Sequence, residues 1–479
     1  MQKLSSLKRV KKIIKPFIPS FLWRIRRKFY DYLEDQRFKK ICQTRKVGCS
    51  AGAIKNFTNL EQASRIKVLF YNDWGGSWEA LEPLALALSK NEDFEVIVLA
   101  MPTLVQSGNF YDLGATKALQ EFSKKIHTPI TYTLDVNARV QCVVGFDSQM
   151  QVTLYPETTQ AHYCFTTRPY DSLRPHGWSN ADIAECMKLC RVEYGMLFVA
   201  LHLDFLYDCP SAPWYHRANR CYDFLFLPDI FHRDIMVSCK DKSAYTNFVV
   251  TGSPRLETFR QGDFSKPHTE KLTLFYTSRY AKGDPYGTFF TFIEYFMQLA
   301  NEDKINFIYR PHPNMCDTKP GNHNILNETQ WRDFVARFDA PNLYLDTNPS
   351  YHDSFQKADV IISDASSTSV YAFLANKPVI YTQNLVGGEL NGWAVKILQG
   401  CFIVDTLDSM RELIVELQND FHGTLAPLLC RREKILKECF YFPPEGSIQR
   451  VTDTLMADYR NIISHASAKS LPKTKSSCT

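Results

Sequence analysis

The feature that most restricts this chain is a strand, a glycine-bearing turn, a helix and a second strand in quick succession after residue 65. Ile66-Lys67-Val68-Leu69-Phe70-Tyr71 reads as a buried strand, and Asn72-Asp73-Trp74-Gly75-Gly76-Ser77 as a turn. Trp78 to Lys90 has helical spacing through Trp78, Leu81, Leu84, Ala85 and Leu88, and Phe94–Ala100 returns as a strand. A crossover of this kind is right-handed and leaves the two strands parallel. Further strands are expected at Val152–Tyr155, Cys164–Thr166, Arg191–Tyr194 and Tyr222–Leu227.

A second block of the same kind follows the polar stretch Gln261–Lys271. Strands are expected at Leu272–Tyr276, Ile305–Arg310, Leu343–Leu345, Val360–Ile362, Pro378–Tyr381 and Cys401–Val404. Helices are expected over Tyr286–Leu299, over Ser409–Gln418 and from Arg431 onward. Two such blocks predict an α/β protein with two doubly wound Rossmann-type domains facing a cleft. The expected division is a basic arm at 1–50, a first domain at 51–260, a second domain with closing helices at 261–464, and a disordered polar tail at 465–479. In such folds ligands bind beyond the carboxyl ends of the strands, so the loops there are where chemistry is sought.

The 479 residues exceed what one core usually serves, at roughly 150 residues per domain. With 45% hydrophobic and 22% charged residues, the composition excludes disordered, collagenous and polytopic membrane classes. The net charge of +5 hides an asymmetry: residues 1–47 hold 15 Lys and Arg against 3 Asp and Glu, leaving the remainder net acidic. Within that arm, Leu4, Leu7, Val10 and Ile14, and then Leu22, Ile25, Phe29 and Leu33, step by threes and fours beside lysines and arginines. Two short basic amphipathic helices suit an anionic membrane surface; the plainer reading is an arm packed on its own domain. No nucleic-acid module accompanies the arm, so nucleic acid is not an expected partner. The stretch Ile13–Trp23 is too broken by Lys15, Pro16 and Pro19 for a cleavable signal, and no apolar run spans a bilayer. The scattered 14 cysteines read as reduced packing residues, and the expected location is the cytoplasmic face of the membrane.

Four segments carry candidate chemistry. Ser363-Asp364-Ala365-Ser366-Ser367-Thr368-Ser369 ends a strand and opens a helix, where backbone N–H groups and the hydroxyls of Ser366, Ser367 and Thr368 make an anion site. The bland reading is that Asp364 or Ser366 is an N-cap. In Tyr309-Arg310-Pro311-His312-Pro313-Asn314 the prolines hold His312 in a rigid loop, where an imidazole can donate to phosphate or move a proton. Thr251-Gly252-Ser253-Pro254-Arg255 and Tyr276-Thr277-Ser278-Arg279-Tyr280 add Ser278, Arg279 and Arg255 as weaker phosphate contacts; taken singly, each reads as an ordinary turn. No carboxylate cluster or His/Cys spacing suggests a metal site, so no tightly bound metal or cofactor is expected and activity should survive exhaustive chelation.

Together, Thr-Gly-Ser-Pro-Arg, Phe-Tyr-Thr-Ser-Arg, Arg-Pro-His-Pro-Asn and Ser-Asp-Ala-Ser-Ser with the later Asn-Lys-Pro-Val-Ile resemble the CDP-glycerol glycerophosphotransferase family in order and spacing. These are the teichoic-acid and capsule polymer enzymes. The resemblance implies a GT-B fold and transfer of an alditol phosphate from a CDP-alditol to a hydroxyl of a lipid-linked or polymer acceptor. It implies that His312 contacts the donor pyrophosphate and that Ser366 and Ser367 hold its phosphates. The family's first-domain Trp-His-Gly motif, whose histidine is its proposed base, is absent; the corresponding place reads Val192-Glu193-Tyr194-Gly195. His202, Glu193 and Asp73 stand as substitutes, and Ala365 replaces the motif's usual tyrosine. A glycosyltransferase or 2-epimerase using a sugar nucleotide, and a non-catalytic nucleotide- or polysaccharide-binding protein, are the competing readings.

Overall fold

Two seven-residue apolar runs, β1 (Ile66–Asn72) and β2 (Phe94–Ala100), lie side by side near the centre of an eight-stranded sheet. A computed structural model describes residues 20–58, 65–104, 110–168, 170–196, 220–238, 245–265, 271–281, 283–312, 315, 325–348, 350–387 and 389–470. β3 (Thr103–Leu104) and β4 (Phe110–Tyr111) form a small antiparallel pair beside the sheet. β5 (Ile130–Thr131), β6 (Val140–Val144), β7 (Tyr163–Thr166), β8 (Lys188–Val192), β9 (Phe224–Leu227) and β10 (Asn247–Val250) complete it. The strand order is β10-β9-β8-β7-β1-β2-β6-β5, and every pairing is parallel.

The second sheet contains β11 (Thr273–Thr277), β12 (Asn306–Tyr309), β13 (Leu343–Leu345), β14 (Val360–Ser363), β15 (Val379–Thr382) and β16 (Phe402–Val404). Its order is β13-β12-β11-β14-β15-β16, again all parallel. Both sheets are covered on both faces, which is why their strands are apolar without alternation. Val68 and Phe70 of β1 enter one core while Leu69 and Tyr71 enter another on the opposite face. Each sheet has one place where strand order reverses. In the first, the chain leaves β1 for β2 and returns on the other side at β7; in the second, it leaves β11 for β12 and returns at β14. A crevice opens at such a reversal, outside the carboxyl ends of the strands.

Several expectations are corrected. The helix expected over Trp78–Lys90 is two pieces, Gly75–Trp78 and Glu82–Lys90, because Pro83 lacks an N–H and sits in the first turn of the second piece. Val152–Tyr155 is not a strand: Val152 makes one isolated bridge to Phe146, and Pro156 then opens a short helix. In the arm, residues 1–19 lie outside the described residues, and a single helix runs from Ser20 to Thr44. Its later half packs on the first domain. Phe38 and Ile41 are buried, and Arg37 reaches Asp182 at 2.6 Å and Glu185 at 3.1 Å. Phe29, Tyr32 and Leu33, a turn or two earlier, are 58%, 57% and 45% exposed.

The closing helix also departs from expectation. It runs from Ser447 through Ser470, so His465–Ser470 is helical, while residues 471–479 lie outside the described residues. Its stripe Val451, Leu455, Ile462 enters the core of the first domain, not the second. Asp458 on the same helix takes Lys188 Nζ at 2.7 Å and the Tyr163 hydroxyl at 2.7 Å. Helical spacing of the apolar residues places all of these on one face.

Candidate active site in the cleft

In the order β12-β11-β14 the loops after the three strands are neighbours at one sheet edge, and they carry most of the predicted donor-side residues. Ser366 caps the helix Ser367–Leu374: its Oγ accepts the Thr368 N–H at 3.3 Å and lies 2.9 Å from Ser363 Oγ. Thr368 Oγ1 donates to the Tyr351 hydroxyl oxygen at 3.4 Å. The Arg279 backbone N–H donates to Asp364 Oδ2 at 2.8 Å, and its guanidinium reaches Asp284 at 2.6 Å and the Ala365 carbonyl at 3.0 Å. Arg279 is therefore stitched to the turn that opens the helix. His312 stacks on Tyr280 at 4.3 Å between ring centroids.

Electrostatics follow from this crowding. Asp364 is fully buried, Oδ1 has no hydrogen-bond partner, and burial pushes its carboxyl up to about 7 although Arg279 opposes the shift. Burial, with the Arg279 guanidinium adding to it, pushes the His312 imidazole well down, so the ring is neutral at neutral pH. Arg310 was not among the predicted site residues. Its guanidinium binds Asp346 at 2.7 Å and the Asn348 and Ser350 carbonyls at 2.7 and 2.9 Å, and lies over Tyr351. It fixes the loop from which His312 projects. Ser278 faces inward, buried and 3.4 Å from the Tyr309 hydroxyl.

The first domain presents the turns after β1, β7 and β8. Arg168 forms a buried two-point pair with Asp73, at 2.7 Å to Oδ2 and 3.1 Å to Oδ1. Glu193 is paired with the fully buried Arg191. Neither carboxylate is an uncommitted base. Tyr194 stands where the resemblance would put a histidine; burial pushes its phenol up, so it stays protonated. Its carbonyl accepts Arg255 Nη1 at 2.6 Å and the Tyr371 hydroxyl at 3.1 Å. The Met196 N–H donates to Ser367 Oγ at 2.8 Å, and a Cβ on Gly195 would sit 3.2 Å from that Oγ. The β8 loop is thus pressed against the helix of the second domain. Arg255 is committed to the same contact: it binds Glu79 at 2.5 Å and lies over the Tyr371 ring at 4.3 Å. It joins the domains through both terminal nitrogens, while its Nε is buried without a partner. His202 lies outside the described residues.

Trp74, not among the predicted site residues, connects the halves. Its ring centroid is 5.7 Å from Tyr194 and 6.4 Å from His312 of the other domain. A signal was present in the sequence, since Trp74 directly follows a strand and precedes two glycines. A hollow of about 630 Å³ lies elsewhere, at the amino edge of the first sheet, with Lys55, Arg65, Lys67, Glu95, Glu157 and Glu185 in its wall. Its charges offset one another and it sits away from both reversal points, so the cleft is the better site. Among the described residues no group of three or more His, Cys, Asp or Glu is placed to hold a metal ion.

No family profile matches the sequence, and no curated protein does. Among solved structures, the chain is similar to S. aureus MnaA with UDP at 14% identity and TM-score 0.50, over 83% of this chain and 98% of that one. It is also similar to the UDP-GlcNAc 2-epimerase of Neisseria meningitidis bound to UDP-GlcNAc (13%, TM-score 0.48, 82% and 100%). The wall teichoic acid polymerase TagF gives 11%, TM-score 0.48, 90% and 98%. The likeness is one of fold. The chain has the GT-B arrangement of two Rossmann-type domains about a cleft.

Proposed function

We propose that the protein transfers an alditol phosphate, glycerol phosphate foremost, from a CDP-alditol to a hydroxyl of a membrane-associated acceptor, releasing CMP. The observation that carries this reading is the meeting of Arg279, His312 and the capped helix start Ser366–Thr368 at the reversal point of the second sheet. Helix-terminal N–H groups and an arginine suit a pyrophosphate. The sequence resemblance names which pyrophosphate.

The acceptor oxygen attacks the β-phosphorus, the bridging P–O bond breaks, and CMP leaves with the bridging oxygen. A neutral imidazole carries one N–H, so His312 suits donation to a phosphoryl oxygen; pushed well down, it is a weak base, and the hydroxyl proton is left to the phosphate oxygens of the departing CMP. Positioning and charge stabilisation supply most of the barrier lowering in such transfers. The basic arm, with Phe29, Tyr32 and Leu33 uncovered, supports residence at an anionic membrane surface.

A donor panel tests this: radiolabelled CDP-glycerol, CDP-ribitol and UDP-sugars with membrane acceptors. CMP release from CDP-alditols is expected; UDP release would transfer the assignment to a sugar-nucleotide enzyme, a reading the fold likeness to UDP-bound MnaA supports. His312→Ala should lower kcat about 100-fold, and Ser366→Ala should act mainly on donor KM, by about 10-fold. Cell-surface polymer unchanged in cells carrying either variant would favour a non-catalytic binding protein.

A further inference from the structure

The first sheet's reversal point faces that of the second, and its lining is aromatic. Trp74 stands two residues after β1 and Arg168 two after β7, the two strands that flank the reversal. Three half-buried rings, Trp74, Tyr170 and Tyr194, gather there, with the Tyr170 and Tyr194 hydroxyls 3.4 Å apart and Trp74 edge-on to Tyr194. The second domain continues the wall with His312 and Tyr280.

The indole is held, not draped. The Trp74 main-chain N–H donates to Asn72 Oδ1 at 3.2 Å, fixing the turn, and a Cβ on Gly76 would lie 2.8 Å from the ring, so only glycine leaves it room. The Arg168 guanidinium, fixed by Asp73 and Thr103, lies 5.5 Å from the indole centroid. Among the described residues, three cations along this wall are matched by carboxylates: Arg168 by Asp73, Arg191 by Glu193, Arg255 by Glu79. A polyanionic acceptor needs uncommitted cations, and this wall offers none among those three. A pyranose presents weakly positive C–H bonds on one face, which suits the negative face of an aromatic ring, and hydroxyls at its edge, which suit the phenols and the Asp73–Arg168 pair.

We propose that Trp74, Tyr170 and Tyr194 form the acceptor subsite, and that it takes the terminal pyranose of a neutral glycan or glycolipid, not a chain of alditol phosphates. This inference rests on the transfer reading for the word acceptor, but the subsite binds sugar whichever donor is used.

The test uses the full chain without donor. Saturation-transfer NMR is run with octyl β-glucoside, octyl β-galactoside and octyl β-N-acetylglucosaminide below their micelle concentrations, and with octyl tri(glycerol phosphate). At least one glycoside should show saturation on its ring C–H protons. Trp74→Leu and Tyr170→Leu should each weaken it at least 10-fold, and Trp74→Phe should restore most of the loss. CDP-glycerol binding by calorimetry should stay within twofold in variants with an unchanged thermal midpoint. Absence of glycoside binding to the parent protein, unchanged affinity in both leucine variants, or tighter binding of the glycerol phosphate oligomer would overturn the proposal. Glycoside binding combined with preference for UDP would instead sink the transfer reading and leave the subsite standing.

Discussion

Asp364 shows how much of the cleft's behaviour resides in single side chains. Its carboxyl is buried beneath the helix start, and burial raises it from the ordinary carboxylate range to about 7. In the unfolded chain it titrates near 4. Between those values the folded protein binds a proton that the unfolded chain does not, so stability falls as pH rises through this window and is level above it. Asp364→Asn keeps an oxygen for the Arg279 N–H and has no charge to bury. We expect its stability to equal the parent's near pH 4 and to exceed it near pH 8 by on the order of a few kcal/mol. Urea midpoints from pH 4 to 8 check this; parallel profiles for the two proteins would refute it.

At the scale of elements, the arm divides between two surroundings. Residues after Leu33 are tied to the first domain through Phe38, Ile41, Arg37 and the Asp35–Arg220 pair at 2.7 Å. Phe29, Tyr32 and Leu33 have no such cover. Removing residues 1–33 should abolish co-sedimentation with anionic vesicles and leave the thermal midpoint unchanged, whereas removing 1–47 should lower it by several degrees. Equal pelleting of the 1–33 deletion and the full chain would remove the membrane role.

Elements are also where sequence reading succeeded and stopped. Strands such as Phe94–Ala100 and Leu343–Leu345 were legible because largely apolar runs bounded by turns leave little choice. The donor-side loops were legible because chemistry-bearing residues directly follow strands. Val140–Val144 and Asn247–Val250 escaped notice, since runs of four or five residues that include Gln141 and Asn247 carry little signal. Commitment of Asp73 and Arg255 to ion pairs was invisible, since their partners Arg168 and Glu79 lie far off in sequence; the Arg191–Glu193 pair, two residues apart, had a local signal in its spacing. Trp74 had a local signal but no reason to matter until His312 stood opposite it.

For the whole molecule, the domains are joined by more than the single stretch between β10 and β11. The helix Ser447–Ser470 returns from the second domain to complete the core of the first, with Val451, Leu455 and Ile462 beside β1 and β7 residues. A chain ending at residue 446 should therefore lose the first domain's cooperative unfolding transition while keeping the second's. Residues 51–260 alone should be insoluble or partly folded, and regain native amide dispersion when a 447–470 peptide is supplied. A well-dispersed spectrum of 51–260 alone would contradict this.

That returning helix also sets a timetable for synthesis. The first domain leaves the ribosome about 200 residues before the segment that covers its apolar groove. At roughly 5–20 residues per second, the groove stays open for ten seconds or more. Val68, Phe70 and Tyr163 stand without their last layer for that interval, so a nascent-chain chaperone has a defined client surface here. The second half of the cleft has its core by about residue 442, and the first gains its own only with residues 447–470.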